Sequence, residues 1–410
     1  MNRRDFLATL GAGILVVLVE EDLEAQESGQ RIGARSVPDQ LSAWLHVAED
    51  GIVTVYTGKV EVGQNIRTSL TQAVAEEMGA GVQSVNLIMG DTDLTPYDMG
   101  TFGSMTTPRM APQLRKAAAT AREMLIDLAA AKWKIDRGMI GIGGGRVKTA
   151  IQSAGFGELM QGQQLSRTIR AAKLTPADSW MTMGRPAAKV DCRAFVTGKH
   201  KYPSDHKLPG MLYGRVLRPP SFGATLAALD TAAAEAIPGV KVIRDGAFVG
   251  VVAPDARTAA SGLAALKPDW NTVSQPSSSD LYTALRANAN ASGLPKPQQV
   301  YTVAYIAHVP LEPRVALAEW KDGKLTVWTG TQRPFGVKEE LISAFGLAED
   351  RVRVIMPDTG SGYGGKHSGE AAIEAARLSK AAGQPVQVAW TREEEFTWAY
   401  FRPAGVIEVG

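Results

Sequence analysis

One pattern occurs twice in this chain, and it constrains the fold more than any other feature. Residues 51–58 read GIVTVYTG and residues 323–330 read GKLTVWTG. Both are strand-like, both carry an aromatic residue, and both end on Thr-Gly. A helical pattern follows each, at 67–78 and at 337–345. Each helix leads to a second apolar run, and those runs reach Asp91-Thr92 and Asp358-Thr359. Chance could give one such match; the ordered set of strand, turn, helix, strand and Asp-Thr reads as a duplication. Related units that pack together often place a ligand site where they meet. The expectation is an α+β chain whose polar loops after each copy face one cleft.

Those loops are rich in small and amide side chains. The turn of the first copy is Glu61-Val62-Gly63-Gln64-Asn65, and Gly100-Thr101-Phe102-Gly103-Ser104-Met105-Thr106 follows its last strand. In the second copy the turn is Thr331-Gln332-Arg333. Gln64 and Gln332 sit just after corresponding Gly turns. An amide offers donor and acceptor together, which suits an oxo group or a pterin edge. The alternative is that each glutamine caps the helix that follows it.

The second copy then runs into Gly360, Gly362, Gly364 and Gly365, four glycines in six residues ahead of a helical pattern. Such a loop lets backbone N–H groups approach a phosphate or another electron-rich group. Gly360, Gly365 and Lys366 have Walker A spacing, but His367 stands where that loop needs Ser or Thr for magnesium. Gly360, Gly362 and Gly365 also spell G-x-G-x-x-G, yet Pro357, Asp358 and Thr359 separate them from the strand, unlike a Rossmann turn. A cofactor loop of another family and a plain surface turn remain.

Composition narrows the chemistry. At 410 residues, two or three domains are expected, and a net charge of +2 gives no general attraction to nucleic acid. Cys192 is the only cysteine, which excludes a disulfide framework, a cysteine zinc site and a self-contained iron–sulfur cluster. His46, His200, His206, His308 and His367 are scattered and form no H-E-x-x-H pair, so no protein metal cage is expected. Redox chemistry in such a chain falls to a bound cofactor. Arg3-Arg4 ahead of an apolar run to Val19 read as a twin-arginine export signal over residues 1–25, with a periplasmic destination and membrane association left open. Residues 271–280, NTVSQPSSSD, read as a linker. Residues 404–410 read as the start of a strand with no partner in the remaining chain, as in a truncated product or half of a split protein.

Taken together, these motifs resemble the molybdopterin-binding large subunit of the xanthine dehydrogenase family, in its exported aldehyde dehydrogenase and isoquinoline 1-oxidoreductase type. Gly362-Tyr363-Gly364-Gly365-Lys366 is similar to that family's Gly-Phe-Gly-Gly-Lys loop, and Thr331-Gln332 to its Thr-Gln turn. Glu61-Val62-Gly63-Gln64-Asn65 resembles its Glu-Met-Gly-Gln-Gly segment, with Asn65 in place of a glycine, and Gly103-Ser104-Met105-Thr106 resembles a further pterin-contacting stretch. Residues 188–270 resemble its α/β hammerhead domain, between molybdopterin-binding segments at 41–150 and 295–410. His308 and Leu311-Glu312-Pro313 match the segment leading into the second of these.

The resemblance implies molybdopterin cytosine dinucleotide with molybdenum, held through its dithiolene without a protein ligand. It implies hydroxylation of an aldehyde or N-heterocycle with oxygen from water, and electrons passing to a separate 2Fe–2S subunit and from there to a cytochrome c. Gly63, Gln64, Gly103, Ser104, Thr106, Gln332, Gly362, Tyr363, Gly364, Gly365 and Lys366 become cofactor-binding candidates. Tyr363 and His367 become substrate-proximal ones. His367 stands where the family's xanthine dehydrogenases carry a substrate-contacting glutamate, which argues against purines. No residue of this sequence matches the segment bearing the family's catalytic glutamate, so the catalytic residue is unassigned. A non-catalytic remnant or a split half acting as a periplasmic binding protein is the alternative, and a nicotinamide enzyme is a third.

Overall fold

The computed structural model describes residues 13–18, 42–168, 172–289 and 297–409. It divides into two compact units, residues 1–202 with 331–359, and residues 203–330 with 360–410. Helix and strand are mixed in both, as an α+β chain requires.

The duplication is real in chain order. The first copy is strand Val53–Thr57, helix Ile66–Met78, a short 3-10 turn and strand Val85–Met89; the second is Lys324–Thr329, Pro334–Phe345, another 3-10 turn and Val352–Ile355. Both helices end on a left-handed glycine, Gly79 and Gly346. The second helix starts earlier than its apolar pattern, because Pro334 supplies the preset φ of a first turn. In this copy the strand Lys324–Thr329 belongs to the second unit, and its helix and last strand to the first.

In the first unit a five-stranded sheet has the order Val85–Met89, Val53–Thr57, Ser42–Ala48, Gly13–Leu18, Gln164–Thr168. The alternating residues Leu45, Val47, Val53 and Val55 are buried with Leu70, Val74, Met78, Leu114, Ala118 and Leu125 of two helices. One of these is Thr106–Trp133, which begins before Pro112 and runs through it. Burial of Met110 and Ala111 beside Leu114 offsets the hydrogen bond that Pro112 cannot donate. Gly13–Leu18 pairs antiparallel with Ser42–Ala48 and parallel with Gln164–Thr168. Of the expected export segment only this stretch is described; residues 1–12 and 19–25 lie outside the described residues, as does the polar stretch up to 41. A hairpin forms at Gly143-Gly144-Gly145, with Gly144 and Gly145 both at positive φ between paired strands.

In the second unit the strands Lys241–Asp245, Phe248–Ala253, Leu212–Val216, Val386–Ala389, Val315–Lys321 and Lys324–Thr329 follow one another in a sheet. Helix Glu370–Ala382 packs on it. Gly214 lets it approach: a Cβ there would lie 2.6 Å from Leu378 Cδ1 and 3.0 Å from Val386 and Val388. Gly214→Ala is therefore expected to lower stability by about 2 kcal/mol, read as a fall in the urea midpoint at unchanged slope. The final strand corrects one expectation. Gly405–Val409 has a partner, pairing antiparallel with Gln299–Val303 from Gln299↔Val409 to Val303↔Gly405. That partner lies far upstream, beyond any local pattern. Among the described residues no helix is long and apolar enough to cross a membrane.

Candidate functional site

Three of the loops singled out in the sequence meet in the first unit, and Thr101 joins them. Its N–H donates to Gln332 O at 2.8 Å, while Gln332 Nε2 donates to Thr101 O at 2.9 Å. Its Oγ1 accepts from Val60 N at 2.9 Å. Beneath them, Lys59 Nζ donates to Gly100 O at 2.6 Å and pairs with Asp98 at 2.8 Å, both side chains being buried. Burial pushes the Asp98 carboxyl up against the opposing pull of Lys59. Thr101, Lys59 and Asp98 were not among the sequence candidates. A buried Lys–Asp pair so far apart in the chain leaves no pattern when the sequence is read linearly.

The turn before helix Ile66–Met78 is wrapped around one carboxylate. Glu61, 2 % exposed, accepts from Gly63 N at 2.8 Å, Asn65 N at 3.0 Å and Arg67 N at 3.0 Å. The positive end of the helix is thus already neutralised by the chain itself. Gln64 is exposed and turned inward along its own backbone, accepting from Val62 N at 2.7 Å and donating to Val60 O at 3.1 Å. Asn65 holds the left-handed conformation at φ 61°, the one that a glycine or an asparagine tolerates best. Gly63 has φ 94°, and a Cβ there would meet nothing within 4 Å.

Gly103 and Ser104 are exposed and left-handed at φ 62° and 56°, and Thr106 is buried as the first residue of the long helix. The Asp-Thr ends of the two copies are exchanged. Asp91 pairs with Arg353 at 2.5 Å, and Asp358 pairs with Arg67 at 2.5 Å. Arg67 also donates to Leu87 O. Each copy's aspartate therefore fixes the other copy, which explains why the signature recurs.

The glycine-rich loop lies in the second unit and is framed by residues 308–314. Gly365 N donates to Gly362 O at 2.8 Å across Tyr363 and Gly364, whose φ values are 56° and 94°, as in mirror-image turns. Tyr363 is thereby thrown outward and is 66 % exposed. Gly362 and Gly365 are buried, Gly364 and His367 half-buried. Two of the glycines answer to a protein neighbour. A Cβ on Gly360 would lie 2.9 Å from Glu312 Cβ, and one on Gly365 would lie 2.8 Å from His308 Cβ. Arg314, 3 % exposed, donates to Gly365 O, pairs with buried Glu395 at 2.7 Å and reaches Glu370 at 3.3 Å. Lys366 is 1 % exposed, 3.7 Å from Glu312. Burial pushes its ammonium down to about 8, against Glu312 and Glu395 and with Arg314.

This geometry disposes of two nucleotide readings. Lys366 is inside the protein rather than at a phosphate, and helix Glu370–Ala382 starts after His367 rather than at the loop. A Rossmann turn fails likewise, since fourteen residues separate Ile355 from Glu370. Of the seven non-glycine residues with positive φ among the described residues, Asn65, Ser104, Ser361 and Tyr363 fall in these loops. Concentrated backbone strain of this kind marks a place where a fixed loop shape has a use. Among the described residues no group of three His, Cys, Asp or Glu side chains could hold a metal ion.

Profiles of the molybdopterin cofactor-binding domain match residues 11–200 and 287–409. A nicotinate dehydrogenase chain of Pseudomonas putida is 34% identical over 402 residues, covering 90% of this chain and 34% of the relative. The beta chain of isoquinoline 1-oxidoreductase from Brevundimonas diminuta is 26% identical, covering 88% and 56%. A membrane-bound aldehyde dehydrogenase of Gluconacetobacter polyoxogenes, named with pyrroloquinoline quinone, is 28% identical, covering 100% and 58%. The chain thus spans between about a third and three fifths of the length of these relatives.

Proposed function

We propose a function for a chain that belongs to the molybdopterin-binding large subunits of the xanthine dehydrogenase family. It is the cofactor-holding part of a molybdenum hydroxylase that oxidises an N-heteroaromatic compound or an aldehyde. The observation that carries this reading is the joining of the Gly63, Gly103 and Gln332 loops at Thr101. The loops also fit the group chemically. Gly63 leaves open space where a side chain would stand, and Gly103 and Ser104 are exposed on left-handed backbone.

When bound, molybdopterin supplies the two-electron redox centre. The protein's part is to hold and orient it. Exposed Ser104 and the backbone of Gly103 would hydrogen-bond the pterin or its phosphates, Gly63 would leave room for it, and Gln332, Gln64 and Thr106 would fix the loops that carry them. Gly362, Gly364 and Gly365 would bring backbone close to the metal end. Tyr363, with its exposed ring, and His367 would face the substrate; an aromatic ring there suits a flat heteroaromatic. The names of the first two relatives favour N-heterocycles over aldehydes, and His367 speaks against purines. The cytosine dinucleotide form, a 2Fe–2S partner subunit, a cytochrome c beyond it, a hammerhead domain at 188–270 and twin-arginine export to the periplasm complete the proposal. The alternative cofactor is a quinone of the kind in the third relative's name.

In a host that makes molybdopterin, the purified wild-type chain is expected to retain molybdenum. Gln332→Ala is expected to retain at least about fivefold less, the effect of losing about 1 kcal/mol of hydrogen bonding. Unchanged molybdenum content would remove Gln332 from the cradle.

A further inference from the structure

We propose that Lys366 is a positioning residue that closes the glycine-rich loop from inside, rather than a side chain that touches the cofactor. Glu312 is the other half of the device. Its Oε2 accepts from Gly360 N at 2.6 Å and lies 3.7 Å from Lys366 Nζ, so one carboxylate ties the first residue of the loop to the last. The neighbouring residues repeat the pattern. Leu311 N donates to Ser361 Oγ at 3.1 Å, Glu312 N donates to Gly360 O at 3.1 Å, and Arg314 donates to Gly365 O. Residues 311–314 are thus a template along which the loop is laid. Lys366, 1 % exposed, lies against that template through Glu312, whereas Tyr363 is 66 % exposed.

The arrangement has a pH signature. The charged groups around Lys366 are Glu312, Glu395 and Arg314, and its amine lies near 8 against an ordinary 10.5. If the loop opens, the amine meets water and regains the ordinary value. Between those two values the open loop binds more protons than the closed one. Closure therefore strengthens as pH rises from about 8 towards 10.5, by up to about tenfold per pH unit. Below about 8 the balance is constant. A lysine turned towards a ligand site would be solvated and show none of this.

The only thing this inference takes from the proposed function is the identity of the ligand. Its test is run on the full chain without cofactor, so that failure of one leaves the other standing. Hydrogen exchange of residues 361–365 is followed from about pH 7 to about pH 9.5 and corrected for each amide's chemical rate. In the wild type, opening is expected to fall about tenfold between about pH 8 and about pH 9.5. In Lys366→Met the profile is expected to be flat. In Glu312→Gln, which keeps shape but removes the anion, the transition moves to lower pH and opening at about pH 7 rises. A flat wild-type profile, or a transition that survives in Lys366→Met, would overturn the proposal. Should Lys366→Met not fold, the wild-type and Glu312→Gln profiles still decide.

Discussion

Glu61→Ala is expected to destabilise the first unit by about 3 kcal/mol and to lower its melting temperature by about 6 °C. The carboxylate serves three backbone N–H groups at once, on Gly63, Asn65 and Arg67, while itself almost fully buried. Alanine leaves all three without their acceptor and removes the negative charge from the start of helix Ile66–Met78. The turn is partly open, so water recovers some of the loss; this holds the figure below the sum of three buried bonds. Glu61→Gln should fall about halfway, because one amide oxygen still accepts while the NH2 faces donors. Denaturant titration checks both. A loss under about 1 kcal/mol would mean that the turn holds its shape by φ preference alone.

Arg314→Met is the larger perturbation in the second unit, at about 4 kcal/mol. Glu395 is 3 % exposed and pairs with Arg314 at 2.7 Å, so methionine would leave a buried carboxylate without its cation. The guanidinium also lies 5.3 Å from the ring centre of Trp390, and that contact goes with it. Gly365 loses the donor to its carbonyl, so the loop should loosen along with the global effect. Replacing both partners, Arg314→Met with Glu395→Leu, is expected to recover at least half of the loss, since the cost is an unpaired charge rather than a missing shape. Equal losses in the single and double variants would show that the network as a whole holds the unit.

How much of this could be read from the sequence depends on how far apart the partners are. The duplicated strand-helix-strand order was legible because each copy spells it locally, and the helices at 66–78 and 334–345 lie within three residues of their apolar patterns. The loops were found through residue type, but their relation was not. Thr101 gave no signal, because its role consists of contacts to residues 60 and 332. Lys59 and Asp98, and the crossed pairs of Arg67 with Asp358 and Arg353 with Asp91, are equally silent in a linear reading. The glycine loop was read through ligand access. Yet Gly360 and Gly365 are small because Glu312 and His308 lie against them, a requirement set far upstream in the chain. The final strand was taken as unpaired because Gln299–Val303 is equally remote in sequence.

The central claim is that this chain holds a molybdopterin. The most direct measurement is made on the chain purified from a molybdopterin-producing host. Bound metal is quantified, the cofactor is released and oxidised, and its pterin fluorescence and any freed nucleotide are identified. Molybdenum and a pterin in equal amounts, with cytidine monophosphate released alongside, is the predicted result. A chain that comes away with neither, or with a quinone in their place, would contradict the account.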